Sequence, residues 1–404
     1  MWPFNRAEKP AAPVERVEPA VSAPRNMTGS ELYTSLAGSM SRAGTPVNEQ
    51  TAMCVSAVYA SVGLIGGAIA SMPCHIYRRT ENHRERVTSS LWWLLNEQPW
   101  PLMSAAVFWE YICWSLLLHG DGFARIHRVN KFTPDVKGFE PLHPLRVEPK
   151  ANGDRLIYVI YKADGSRETI DQDDMLHFPG VGFNGLRGMS PLRYALRHPA
   201  GIALAADEFS GGYFRNGAKA DYAIVVPGNT NPDQVKLMQD TFTSTRTLGN
   251  SFVPPVLSGG AKLEELTLSA EDAQLIQTRH LQVEEIARIF GVPPFMIGHT
   301  EKTTSWGSGV EQMGIGFVKY TLQRHLVKFE QEINRKLFRT ARNFAEFNTA
   351  GLERGDIKTR YEAYRIAVGR AGEPGWLDVQ EIRQFENLGP RDIPQQGNTS
   401  GDDE

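Results

Sequence analysis

Two long amphipathic helices joined by a short polar loop, between Ser269 and Leu337, constrain this chain more than any other feature. In SAEDAQLIQTRHLQVEEIARIF, Leu275, Arg279, Val283, Ile286 and Phe290 recur at steps of three and four, the repeat of one helical face. Ser269 with Asp272 forms a capping-box pattern at the start, and Gly291 with Pro293 and Pro294 stops the far end. A second box, Ser308 to Glu311, opens the next helix. Ile315, Val318, Leu322, Leu326, Phe329, Ile333 and Leu337 then form one stripe, roughly 40 Å long at the rise of an α-helix. Between the helices lies HTEKTTSWGS, rich in hydroxyls, with one lysine and one tryptophan.

The insert preceding this pair is compact. ADYAIVV reads as a strand, Asn231 with Pro232 and Gln234 caps a helix, and PPVLSGGAKLEELTL returns the chain. Upstream, Ser190-Pro191 supplies a cap and a first-turn proline for another helix, which Pro199 must kink or restart. From Pro199 to Phe214 that helix presents Ile202, Ala205, Phe209 and Tyr213 on one side. Helix signals at 52–71 and 104–119 precede a β-rich tract from Gly122 to Phe178, whose clearest hairpin is LIYVIYKADGSRETI with Asp164-Gly165 in the turn. Together these predict an α+β body. Beyond Asn348, RGDIKTRYEAYRIAV and DVQEIRQFENL carry two further helical patterns, and no repeat of fixed period is present.

Residues 51–77 contain no charged group, so a membrane span is one reading of VSAVYASVGLIGGAIASM. Ser56, Tyr59, Ser61 and Ser71 interrupt it, and Val55, Val58, Val62, Ile65, Ile69 and Met72 form a single stripe, which favours a packed soluble helix. Ala60, Gly63, Gly67 and Ala68 would let another element approach closely. The chain of 404 residues suits two or three domains. Its 43 basic and 46 acidic residues nearly cancel, unlike the basic excess of a protein that grips duplex DNA. Cys54, Cys74 and Cys113 are odd in number and widely spaced, so all three are expected as buried free thiols in a reducing compartment.

No catalytic motif survives inspection. Gly180-Val-Gly182-Phe-Asn-Gly185 matches a dinucleotide fingerprint by letters, but no helix opens directly behind it, so a glycine-rich turn is expected. GHTEKT, 298–303, lacks the glycine before Lys302 that a phosphate loop needs. The ten histidines form no H-E-x-x-H pair and no cluster with cysteines, so neither catalytic nor metal residues are assigned and no cofactor is expected. His280 and His325 read as packing or solvent-facing residues, and Trp92, Trp93, Trp109 and Trp114 as apolar packing rather than a base-stacking platform.

Five segments, in this order, resemble the portal proteins of tailed double-stranded-DNA bacteriophages and of phage-derived gene transfer agents. They are LLNEQPWPLMSAAVFWEYI (94–112), LLLHGDGFARI (116–126), DDMLHFPGVGFNGLRGMSPL (173–192), IARIFGVPPFMIGHTEKTTSWGSGVEQ (286–312) and FAEFN (344–348). The resemblance implies a ring, dodecameric in the family, at one capsid vertex, through which DNA is packaged and ejected. It implies, in order, a disordered arm (1–27), an α+β wing (28–189), a first stem helix (190–219) and an α/β clip (220–267). A second stem helix (268–298), a tunnel loop (299–308), a spine helix and strand (309–349), a small helical crown (350–389) and a disordered tail (390–404) follow.

The implied tunnel-loop contacts to DNA are His299, Thr300, Lys302, Thr303, Thr304, Ser305 and Trp306. Asn231, Asp233, Lys236, Asp240, Lys262 and Glu264 would meet a terminase on the clip, and Glu271, Arg279, Glu284, Glu285 and Arg288 would line the stem. The implied partners are further copies of the chain, the large terminase, a head–tail adaptor, the major capsid protein, scaffold, and duplex DNA held without sequence preference. Assembly is expected in the cytoplasm of a bacterial host, without a membrane. The rival readings, a packaging nuclease or ATPase and a membrane-anchored assembly protein, would need a carboxylate cluster, a phosphate loop or a true span.

Overall fold

The computed structural model describes residues 39–81, 84–130, 133–215, 222–225, 231, 233, 235, 236, 240, 262–265, 269–300, 308–338, 342–353, 357–369 and 374–386. The expected arm (1–27) and tail (390–404) lie outside them. A short hairpin, β1 (Ser39–Met40) and β2 (Pro46–Val47), leads into helix α1 (Glu49–Met53), capped by a complete box between Asn48 and Thr51. Where the sequence suggests one helix over 52–71, the chain breaks at Val55, whose backbone is extended, and α2 runs Ser56–Ala70. No helix of the described residues is long and apolar enough to cross a membrane. Instead α2 packs against α4 (Ala105–His119), burying Val58, Val62, Ile65 and Ile69. The close approach falls at Gly66, where an added Cβ would lie 3.4 Å from the Glu110 side chain; Gly63 and Gly67, the expected contacts, face open space.

Antiparallel strands complete this body. Between the two helices come β3 (Cys74–Arg79), β4 (Arg84–Arg86) and α3 (Ser90–Asn96). After α4, β5 (Asp121–Arg128) pairs with β6 (Val136–Leu142) and with β10 (Met175–Pro179). A second sheet orders β7 (Val147–Asn152), β8 (Arg155–Tyr161) and β9 (Arg167–Asp171), with Gly165 at a left-handed φ of 80° in the expected turn. Tyr158, Val159 and Ile160 at the centre of β8 are all buried, and Tyr158 and Ile160, on one face, join the same apolar cluster.

Ser190-Pro191 does not start a helix. Residues 191–195 form turns, and α5 begins at Arg197 with Pro199 in its first turn, where a missing N–H costs nothing. Leu196 and Ala200 are fully buried and Phe209 is exposed, so α5 (Arg197–Arg215) is rotated away from the expected Ile202–Phe209 face. It packs beside α6 (Ser269–Phe290). The long helix that follows comprises α7 (Ser308–Gly316), a π-helical stretch (Phe317–Leu322) and α8 (Gln323–Leu337). A π turn adds a residue to the helical repeat, so the apolar stripe changes phase there. Accordingly Phe317 is buried while Ile315, expected on the stripe, is exposed. Strand β13 (Asn343–Phe347) then returns to pair with β3, more than 260 residues earlier. The short helices α9 (Ala350–Glu353), α10 (Ile357–Ala367) and α11 (Val379–Phe385) close the described chain.

At the centre Trp109 is 2% exposed and donates its indole N–H to the Leu95 carbonyl at 3.0 Å. Its ring lies 5.8 Å from Phe329 and 5.2 Å from Phe347, tying α4, α8 and β13 into one core. Trp92 and Trp114 pack at the edge of that core, whereas Trp93 is half-exposed. Cys74 and Cys113 are buried, but Cys54, at the break between α1 and α2, is exposed, against expectation. Trp109→Ala is expected to cost about 3–5 kcal/mol through the lost ring contacts and the cavity left behind. Trp93→Ala should stay within about 0.5 kcal/mol. Urea titrations of the dilute monomer check both.

Candidate functional site

The junction of α6, the loop after it and the long helix is built by backbone chemistry. Gly291 adopts a φ of 73°, and the N–H of Val292 donates to the Ala287 carbonyl at 2.9 Å, closing α6 with a left-handed turn. The last carbonyls of α6 would otherwise lack partners. Thr321, in the π-helical stretch, donates its hydroxyl to the Gly291 carbonyl, and Arg324 donates Nη2 to the Phe290 carbonyl at 3.1 Å. A guanidinium at a helix C-terminus is also favoured by the helix dipole. One turn later, the Lys328 ammonium donates to the carbonyls of Pro179 and Gly180 at 3.0 and 2.9 Å, so the same helix holds the end of β10.

Among these cations sits His325. Burial, with Arg324 and Lys328 adding repulsion, lowers its pKa to about 3, and its Nε2 accepts from Arg324 Nε at 3.2 Å. After α6 a single turn, Pro294–Ile297, leads to Gly298 at a φ of 86° and then to His299. His299 Nε2 lies 3.6 Å from the Glu284 carboxylate, and its ring is 5.4 Å from that of His280. Thr300 is exposed. Lys302, Thr303, Thr304, Ser305 and Trp306 lie outside the described residues.

Other expected site residues separate by element. Arg279 on α6 pairs with Asp207 on α5 at 2.6 Å across an exposed surface, where solvent screening leaves the pair worth little to stability. Glu284 and Glu285 are half-buried and Arg288 is exposed; Glu271 belongs to α6, but its side chain is outside the described set. In the insert, β11 (Tyr222–Val225) pairs antiparallel with β12 (Lys262–Glu265), placing Lys262 opposite Val225 and Glu264 opposite Ala223. Asn231, Asp233, Lys236 and Asp240 are exposed, and Asn231 Oδ1 accepts from the Asp233 amide at 3.4 Å in the manner of a cap.

Folding also gathers residues that the sequence leaves apart. Glu49, His119 and His143 bring one ligand atom each within 4.8 Å of one another, a set that could hold a divalent ion. Glu49 Oε2 lies 2.8 Å from His119 Nε2 and 3.1 Å from His143 Nε2. Yet the Leu145 amide donates to His143 Nδ1 at 3.2 Å, which makes Nε2 the protonated nitrogen. A metal-bound imidazole instead donates from its second nitrogen. The arrangement is therefore a carboxylate accepting two imidazole N–H bonds. Burial alone would raise the Glu49 pKa, and those hydrogen bonds outweigh it, holding it at about 2.

Tyr158, His177 and Asp121 align at 3.2 and 3.0 Å in the order of a catalytic relay. All three are buried, Asp121 completely, and Phe123 stacks on His177 at 4.4 Å. Closed to substrate, they are a structural network. No sequence signal could have found either group, because their members lie on elements that only tertiary packing brings together.

The family model described as "Phage portal protein" matches residues 56–387. The chain belongs to the phage portal protein family. It is 31% identical to the portal protein of Enterobacteria phage HK97 over 354 residues, covering 85% of this chain and 81% of that protein. The probable portal protein of Streptomyces phage phiC31 is 30% identical, with 87% and 79% covered. A chain from the neck of a native gene transfer agent particle, solved with C12 symmetry, shares the fold at a TM-score of 0.57, 21% identity and coverage of 92% and 96%.

His325 makes the portal chain's stability depend on pH. The neutral form is required in the fold, while the unfolded imidazole ionises near 6.5, so stability is full above that pH and falls towards pH 3. Glu49 acts only lower, between 4.5 and about 2. Between pH 6.5 and 4.5, His325→Leu should therefore flatten the fall by up to about 1.4 kcal/mol per pH unit, measured by denaturant unfolding across that window.

Proposed function

We propose that twelve copies of this chain close into a ring at one capsid vertex and that double-stranded DNA passes along its axis during packaging and ejection. The observation that carries this reading is the family match across residues 56–387. It joins the element order in which two adjacent helices flank a small insert and a long helix follows a polar loop. The C12 symmetry of a neck that shares the fold supports the ring number. Heterologous contacts that close by rotation leave a channel on the axis, so the ring itself creates the conduit.

In this reading residues 28–189 form the wing, with α5 and α6 as stem helices. The insert at 220–267 is the clip outside the shell, 299–308 the tunnel loop, 309–349 the spine, and 350–389 the crown. The clip receives the large terminase during packaging and a head–tail adaptor afterwards, while capsid protein and scaffold meet the wing. The chain hydrolyses no nucleotide, so the motor is a partner. A formal charge of −3 suits a wall that does not hold each phosphate. One Lys302 per subunit becomes a ring of cations, each screened over about 8 Å at physiological salt, which leaves DNA free to slide.

Two experiments test the mapping. Lys302→Glu should leave rings intact by electron microscopy while shortening or weakening retention of packaged DNA; unchanged packaging would reject the tunnel-loop assignment. Deleting Asp221–Leu266 and joining the ends with a short linker should leave the remaining fold intact but abolish terminase docking. A wild-type DNA yield from that deletion would show that the insert is not the clip.

A further inference from the structure

The loop between β10 and α5 is held rigid, yet it displays apolar side chains to solvent. Gly180 N–H bonds the Gly120 carbonyl at 2.8 Å, Met189 N–H bonds the Val181 carbonyl at 2.8 Å, and Asn184 Oδ1 accepts from the amides of Leu186 and Arg187. At its base, Gly188 N–H donates to the buried Asp121 carboxylate at 2.8 Å, and the Arg187 guanidinium donates to the Pro144 and Val147 carbonyls. Gly188 permits this contact, since a Cβ there would lie 2.2 Å from the Gly120 carbonyl oxygen. On this frame Val181 is 71% exposed, Met189 48% and Phe183 46%. A loop whose backbone is ordered before binding loses less entropy on docking.

A shallow surface groove of mixed lining, with Glu97 and Gln98 beside its apolar residues, lies at the other end of the same helix. Gly120, the C-terminal cap of α4, supports the loop, while Ser104, its N-terminal cap, borders a shallow groove of about 430 Å³. Trp93, Pro101, Leu102 and Met103 line it, with Leu102 87% exposed. The fifteen residues of α4 put loop and groove about 22 Å apart. Two different apolar patches at opposite ends of one element suit a head-to-tail contact, in which each copy uses both. Charge agrees: exposed Arg193 follows the loop, and exposed Glu97 lines the groove.

We infer that Val181, Phe183 and Met189 of one copy seat in the Trp93–Leu102–Met103 groove of its neighbour, forming the recurring contact that closes the ring. This rests on the ring-forming reading above. The structure of the single chain supplies both halves of the contact, and a second copy is the one partner certain to carry each half.

The test uses the full-length protein. Val181→Glu and Leu102→Lys, both at exposed positions, should each keep the monomer's circular dichroism and melting temperature while weakening assembly roughly tenfold or more. Combined, the two should restore rings through the new ion pair. In parallel, a benzophenone amino acid at position 183 of assembled rings is irradiated and the captured peptide sequenced. Capture of residues 93–104 from another copy supports the contact. Normal assembly of the single variants, absence of any cross-link, or capture of another surface, including residues 1–38 or an adaptor, overturns it. If wild-type protein forms no ring even in particles, the ring reading itself falls; rings with a cross-link elsewhere overturn this contact alone.

Discussion

Everything else in the body depends on how α8 lies across the core. Phe329 reaches Trp109 at 5.8 Å and Phe178 at 4.8 Å, so one residue of the long helix touches α4 and β10 together. With Leu326 and Ile333 fully buried on the same face, the helix is anchored over several turns. Large buried aromatics dominate such a core because each removes much apolar surface from water. That anchoring lets β13 return to β3 and seal a sheet whose partners are far apart in sequence.

The polar interior is organised around Asp121. A fully buried carboxylate is costly unless its oxygens are occupied. Here Oδ1 takes both the Gly188 amide and His177 Nε2, while Oδ2 accepts no hydrogen bond among the described residues and faces the Arg187 guanidinium at 3.5 Å. Burial lowers the Arg187 pKa, and the Asp121 charge opposes that shift. Glu332 extends the network by accepting the His177 amide at 3.2 Å, so α8 joins the wall it packs against. The glycine-rich loop is thus a structural hub, whose Gly180 and Gly188 pass too close to the Gly120 carbonyl to carry a side chain.

Mechanical continuity between α6 and the long helix runs through two carbonyls. Thr321 and Arg324 hold Gly291 and Phe290, directly where the helix departs from α-helical winding. A π-helical stretch is uncommon and marks a point where the backbone has accepted an extra residue. In this chain it does two things at once: it turns Phe317 inward and presents Thr321 to the end of α6.

Local chemistry made much of this chain legible. The 3.6-residue repeat identified α2, α4, α6 and α8, glycine at 291 ended α6, and Asp164-Gly165 placed the hairpin of β8 and β9. The α+β class and the succession helix, insert, helix, loop and long helix followed from the same signals. Tertiary structure alone decided the rest. Ser190-Pro191 has the right residues for a helix start, but close passage beside Gly120 and the hydrogen bond from the Ser190 hydroxyl to the Leu118 carbonyl bind that segment in another conformation. Periodicity assumes constant winding, so it placed Ile315 in the core and could not see the π-helical stretch that exposes it. Glu49, His119 and His143 carry no spacing that predicts their meeting, because separations of 70 and 94 residues are closed only when α1, α4 and the turn after β6 pack together. A sequence encodes the propensities of neighbours along the chain, whereas a site depends on which faces are left to meet once the core has formed.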